Sequence, residues 1–181
     1  MNYFYHLIPE PFIGSKLIPL NNMDRDSELY QSHSKKYVGR ESLTEQLIPI
    51  LNCKWNDVVQ FSALNPQHII NELQSIEPEF KVHRLRCFKV SVEEVEGTYE
   101  GVVFNRSKSR KKGDFSVSSK EVELLNSKNY KEIHSVPKET LEYWNKVKET
   151  GDGKYLWFPY VPHIFLKGAV DTTNFEIIDL V

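Results

Sequence analysis

Cysteine is nearly missing from this chain: two thiols, Cys53 and Cys87, stand among 181 residues. Neither sits in a CxxC or Cys/His ligand spacing, which excludes a zinc ribbon, a thioredoxin-like redox motif and a dense disulfide framework. The expectation is two buried thiols in a reducing compartment, with a single bridge as the alternative. A dominant charge is missing too. Twenty-three cations against 25 anions leave a net charge of −2, so no global field attracts a nucleic acid. No apolar run approaches the ~18 residues that span a bilayer. The opening "MNYFYHLIPEPF" has neither the basic start nor the apolar run of a secretory signal. HExxH, GxSxG and a Gly-rich phosphate loop do not occur, nor does any metal-ligand spacing, fixed-period repeat or interdomain linker. These absences leave the expectation of a single cytoplasmic domain.

What the chain does have is flat and apolar. Hydrophobic residues make up 40% and aromatics 12%, with ten Phe, nine Tyr and three Trp. That is enough to bury a core, and it argues against disorder.

The pattern predicts a strand over 3–8, ended by Pro9, then a loop punctuated by Pro11, Gly14 and Pro19. A short helix comes next over 24–36, with Asp24 as its cap and Leu29, Tyr30, His33 and Tyr37 on one face. A second covers 40–47. Val58, Val59 and Phe61 read as a buried strand. Asn65 then caps a helix that opens on Pro66, with Ile69, Leu73 and Ile76 on one face. Strands are expected over 82–90 and 99–105, with one helical revolution in "SVEEVEG". Ser118 and Glu121 predict a capping box for a helix through Leu125. Pro137 starts a helix carrying Leu141, Trp144 and Val147 and ending near Gly151. "YLWF", "VPHIFLKG" and "NFEIIDL" are three further strands. Irregular alternation with short connections points to an α+β domain with a bent, mostly antiparallel sheet flanked by short helices.

Five features could carry chemistry. His6, beside Tyr5 at a strand end, could bond a ligand hydroxyl or amide, against the plainer role of a strand histidine bonded to a carbonyl. Ser62 sits where a strand meets a helix N-terminus, a junction that suits an anionic or amide-bearing ligand; strand termination and capping explain most of it. The aromatic run at 155–168, with His163, reads equally as a stacking wall or as core. Arg106, Lys108, Arg110, Lys111 and Lys112 form a basic loop, the one nucleic-acid footprint available, although solvated loops of this kind are commoner. Glu176 alternates with Phe175 and Ile177 and faces solvent or a cleft.

Taken in order, "YHLI", "VVQFSALNPQHIINEL", "VHRLRCFKVSVEEVEG" and "YVPHIFLKGAV" resemble compact members of the ADP-ribosyltransferase-like fold. Small bacterial proteins of that group show a YHI start, an IHxS-plus-Gln helix, a strand leading to a short turn, and a late FPHxY segment. The resemblance implies a split antiparallel sheet with NAD, as co-substrate, held between the halves. It implies that Tyr5, His6, Ser62, Gln67 and His163 hold the dinucleotide. Active transferases place a glutamate in the third region, where this chain has His163. That leaves Glu176, the late-strand glutamate, as the implied catalytic carboxylate alongside His6. The implied function is an NAD-utilising transferase, a toxin or defence effector that modifies nucleic acid or protein, with an antitoxin or other protein as partner. The rival is a non-enzymatic module on the same fold that binds a nucleotide or a protein partner.

Overall fold

The computed structural model describes residues 1–109, 114 and 116–181. Eleven strands are present among them: β1 (Tyr3–Leu7), β2 (Lys16–Leu17), β3 (Leu47–Ile48), β4 (Cys53–Lys54), β5 (Val58–Ser62), β6 (Leu85–Ser91), β7 (Gly101–Phe104), β8 (Val122–Leu124), β9 (His163–Lys167), β10 (Val170–Asp171) and β11 (Glu176–Leu180). Five α-helices accompany them: α1 (Glu28–Ser34), α2 (Glu41–Thr44), α3 (Pro66–Ile76), α4 (Val92–Val95) and α5 (Lys138–Thr150).

Seven strands form one sheet in the order β11-β6-β1-β5-β9-β7-β8, every neighbouring pair antiparallel. The α+β class with an antiparallel sheet and short helices is therefore the architecture. The pairing is uneven. β1 and β6 match over five positions, as do β5 and β9, whereas β1 and β5 match only at Tyr5–Ser62. At that seam the central sheet parts.

Alternation along the strands sends side chains to two faces. Phe4, Phe61, Phe88, Val90, Ile164 and Leu166 fill one face, closed over by Ile8, Leu17, Val92, Val95 and Val170. The opposite face is covered in two portions. α3 and α5 cover one through Ile69, Leu73 and Trp144, and the β3–β4 hairpin covers the other through Ile48, Leu51 and Cys53 against Phe104 and Phe165. Cys53 and Cys87 are both free and buried, in separate clusters.

Local chemistry explains most element ends. The Asn65 side chain accepts from Gln67 N, and Pro66 occupies the first turn of α3. α5 ends where Gly151 takes φ 64, a left-handed turn that a glycine adopts without steric cost. Several expected elements differ. The helix expected over 40–47 is confined to Glu41–Thr44, because Leu47 is drawn into pairing with Lys54 in the β3–β4 hairpin. Ser27, not Asp24, caps α1: its Oγ accepts from Tyr30 N at 3.1 Å, while Asp24 supplies a carbonyl to the Ser27 hydroxyl. The Ser118–Glu121 box forms, but it opens a single 3-10 turn and then strand β8, because Val122 is drawn into pairing with Phe104. Residues 155–158 form no strand. Trp157 and Phe158 turn sideways into the α3–α5 cluster.

No helix among the described residues is long and apolar enough to cross a membrane.

Trp144 anchors this layer. It is fully buried, and its Nε1 donates to Leu156 O at 2.7 Å, tying α5 to the segment that leads into β9. Trp144→Ala is expected to cost about 3–5 kcal/mol. Trp144→Phe, which keeps a ring but strands the Leu156 carbonyl, should cost about 1–3 kcal/mol. Urea unfolding of the two variants measures both, and a Trp144→Phe protein as stable as the native one would show that the hydrogen bond is not a separate source of stability.

Candidate functional site

A cleft of about 530 Å³ opens where β1 and β5 part. Tyr5, His6 and Leu7 come from β1, Val58–Ser62 from β5 and His163 from the start of β9. The loop at 9–23 and the face of α1 bearing Leu29 and His33 form further walls, with Tyr37, Trp55, Asn56 and Phe158 completing the lining.

His6 keeps the parting open. Its Nδ1 lies 2.7 Å from Gln60 O, so the imidazole donates to a carbonyl that a longer β1–β5 ladder would take. A carbonyl only accepts, so the proton sits on Nδ1 and Nε2 is left with a free lone pair. Desolvation lowers the His6 pKa to about 4, against the opposing effect of the Gln60 bond. The ring is neutral at physiological pH. It packs on Phe61, with ring centres 5.2 Å apart.

Ser62 is buried, and both capacities of its hydroxyl are used within its own turn. Oγ donates to Leu64 O at 2.9 Å and accepts from Leu64 N at 3.0 Å. The strand stops here because the serine satisfies the backbone that turns away from it. Ser62 therefore shapes the floor of the cleft. His163 faces it from β9 in register with Ser62. Burial lowers its pKa to about 4 as well, against a backbone hydrogen bond to Val161. Just before it, Tyr160 holds φ 61, unusual for an aromatic residue, at the bend that returns the chain to the sheet.

Tyr5 is clamped from behind. Its hydroxyl donates to Glu132 Oε1 at 2.6 Å, and the other oxygen of Glu132 accepts from Tyr3 N at 3.1 Å. Desolvation first, then this carboxylate, raises the Tyr5 pKa, so the phenol stays protonated. The carboxylate behind Tyr5 is thus Glu132, outside the cleft lining and with a side chain only 7% exposed. No sequence signal marked it, because it contacts a residue 127 positions away.

Glu176, Lys89, Tyr5, Ser62, His163 and Phe104 occupy one row across the sheet, each in register with the next. Tyr5, His6, Ser62 and His163 converge on the cleft. Glu176 does not line it. Two strands from Tyr5, it is 57% exposed and pairs with Lys89 at 2.9 Å, while the ammonium also sits 4.3 Å above the Tyr3 ring. Gln67 also lies outside the lining: its amide bonds Asn71 and both backbone groups of Val181.

The mouth is basic. His33 and Lys36 line it, and Arg40 donates to the Lys36 carbonyl. Desolvation followed by the Arg40 charge lowers the Lys36 pKa; desolvation followed by Lys36 lowers that of His33. Glu28 is the carboxylate among the lining residues. Of the basic loop, Arg106 donates to Asp114 O at 3.3 Å and Lys108 pairs with Glu139. Arg110, Lys111 and Lys112 lie outside the described residues. The segment leaves the sheet after Phe104, which is in register with His163, and so departs near the His163 side of the cleft.

Missed in the sequence were Trp55, Asn56, Lys36 and Glu132. The stripe of Leu29, His33 and Tyr37, which runs from α1 into the 3-10 turn Lys35–Tyr37, was visible at helical spacing, but nothing in that spacing said what it would cover. No group of His, Cys, Asp or Glu that could hold a metal ion occurs among the described residues. No protein-family model matches the chain, and neither the curated proteins nor the solved structures yield a match.

The two histidines make stability depend on pH. An unperturbed histidine titrates near 6.5 and these two near about 4, so the unfolded chain binds more protons between those values. Their contribution is complete above the unfolded value and is lost as pH falls toward the folded one. Melting curves from pH 7 to pH 4 should show a declining Tm, with a shallower decline in His6→Asn. An identical slope in that variant would show that His6 is not a buried neutral group.

Proposed function

We propose that the cleft binds a nicotinamide dinucleotide in the manner of the ADP-ribosyltransferase-like proteins that the sequence resembles. The observation that carries this reading is the convergence of Tyr5, His6, Ser62 and His163 where β1 and β5 part. A cavity of about 530 Å³ falls within the range of small-molecule sites, roughly 300–1,000 Å³. The chemistry of its walls fits the same class. His6 Nε2 is an acceptor for a ribose hydroxyl, flat side chains at Tyr37, Trp55 and Phe158 suit an aromatic ring, and the cationic mouth suits phosphates.

Turnover would break the bond between ribose C1′ and the nicotinamide nitrogen, the electron pair leaving with the neutral nicotinamide. The oxocarbenium-like ribose is then attacked by a nucleophile on a nucleic acid or protein, which loses its proton. The basic segment carrying Arg106 and Lys108 leaves the sheet on the His163 side, and this favours a nucleic acid as acceptor, with the chain acting as a toxin or defence effector. The second reading, binding without turnover, is favoured by one observation: Glu176 pairs with Lys89 outside the cleft.

Calorimetric titration with NAD is expected to show binding that His6→Ala weakens about tenfold, the worth of one good hydrogen bond. Failure of the native protein to bind NAD would remove the proposal. Nicotinamide release, assayed with and without nucleic acid or lysate, separates the two readings. Release lost in both His6→Ala and Glu176→Ala marks an NAD-consuming enzyme that uses the late glutamate. Binding without release, unaffected by Glu176→Ala, marks the binding module.

A further inference from the structure

One wall residue has more hydrogen-bonding capacity than the fold uses. Asn56 is 5% exposed and lines the cleft. Its Oδ1 is the occluded side-chain polar atom left without a hydrogen-bond partner among the described residues. The 3-10 turn that carries it, Trp55–Asp57, does not need it. Trp55 N donates to Gln46 O at 2.9 Å. Asp57 Oδ2 accepts from Lys54 N at 2.7 Å, and its Oδ1 accepts from Asn21 Nδ2 at 2.7 Å.

A buried polar atom without a partner destabilises a fold, and an apolar side chain of the same shape would serve a purely structural wall better. A site built to pair with a ligand amide or amine carries such a group, and it rejects analogues that leave the group unpaired. Because Oδ1 is unpaired, turning the carboxamide toward the cleft forfeits none of its hydrogen bonds. His6 Nε2, on the same lining, is a second acceptor whose lone pair is fixed by the bond at Nδ1.

We infer that Asn56 is a specificity-determining residue of the cleft, its carboxamide pairing with a ligand edge that carries an NH2 beside an acceptor. The inference rests on the nucleotide reading above. Within that class two groups have this edge, the carboxamide of nicotinamide and the amino-pyrimidine edge of adenine.

The test uses the full chain with Asn56→Leu, and with Asn56→Ala should the larger side chain fail to pack. NAD, nicotinic acid adenine dinucleotide and nicotinamide hypoxanthine dinucleotide are titrated into each protein, and the ligand-free Tm is recorded. Free nicotinamide and adenine are followed by the Asn56 side-chain NH2 resonances. The expected result is a ligand-free Tm that is unchanged or raised, at least a tenfold loss of NAD affinity, and loss of discrimination against one analogue. The analogue concerned identifies the edge that Asn56 reads. A ligand-free Tm lowered in both variants would make Asn56 structural and overturn the inference. NAD bound equally by native and variant proteins would overturn it while leaving the nucleotide reading intact. NAD unbound, with nicotinamide or adenine still moving the Asn56 resonances, would overturn that reading and leave the inference. Silence from all three ligands would overturn both.

Discussion

The hydrogen bond from His6 Nδ1 to Gln60 O holds the site together. An antiparallel ladder that stops after one pair leaves backbone groups facing each other with nothing between them, and a buried carbonyl needs a donor. Here an imidazole supplies it from the side. That one substitution of side chain for backbone has three consequences: β1 and β5 stay apart beyond Tyr5–Ser62, the proton is fixed on Nδ1, and the Nε2 lone pair is left free.

The surroundings stiffen this opening from both ends. At the floor, Ser62 satisfies the backbone of Leu64, and Asn65 then caps α3, so the chain leaves β5 in a defined direction. At the back, the buried carboxylate of Glu132 holds the Tyr5 hydroxyl and the Tyr3 amide together, fixing β1 against the segment after β8. The result is a cleft whose two imidazoles are unprotonated and whose phenol is protonated, below a mouth that carries cations. Neutral acceptors inside and positive charge outside favour a ligand with hydrogen-bonding rings at one end and anionic groups at the other.

Much of the framework was legible in the sequence because it is set by neighbours in the chain. Asn65-Pro66 announces the start of α3, the stripe Leu141, Trp144, Val147 and the succeeding Gly151 bound α5, and short apolar alternations mark β1, β5, β9 and β11. The misreadings have a common cause. "YLWF" has the composition of a strand, yet Trp157 and Phe158 are drawn sideways into α3 and α5, so no ladder forms. Ser118 and Glu121 make the capping box that their spacing requires, but a box starts a turn without deciding whether a helix or a strand comes after it. Pairing with β7 makes the next residues a strand. The cap of α1 falls on Ser27, three residues beyond Asp24, because that segment bends before it coils.

By itself, the sequence determined where α3 and α5 begin, which faces are apolar, and that Ser62 stands at the end of a strand just before a helix. Only the tertiary structure decided that these four meet, that Glu132 rather than Glu176 backs the cleft, and that Asn56 is buried with an unpaired oxygen. The physical reason lies in the range of the forces involved. Caps and periodicity act over three or four residues, whereas His6 reaches Gln60 across 54 positions and Tyr5 reaches Glu132 across 127, contacts that form only once the sheet has ordered its strands.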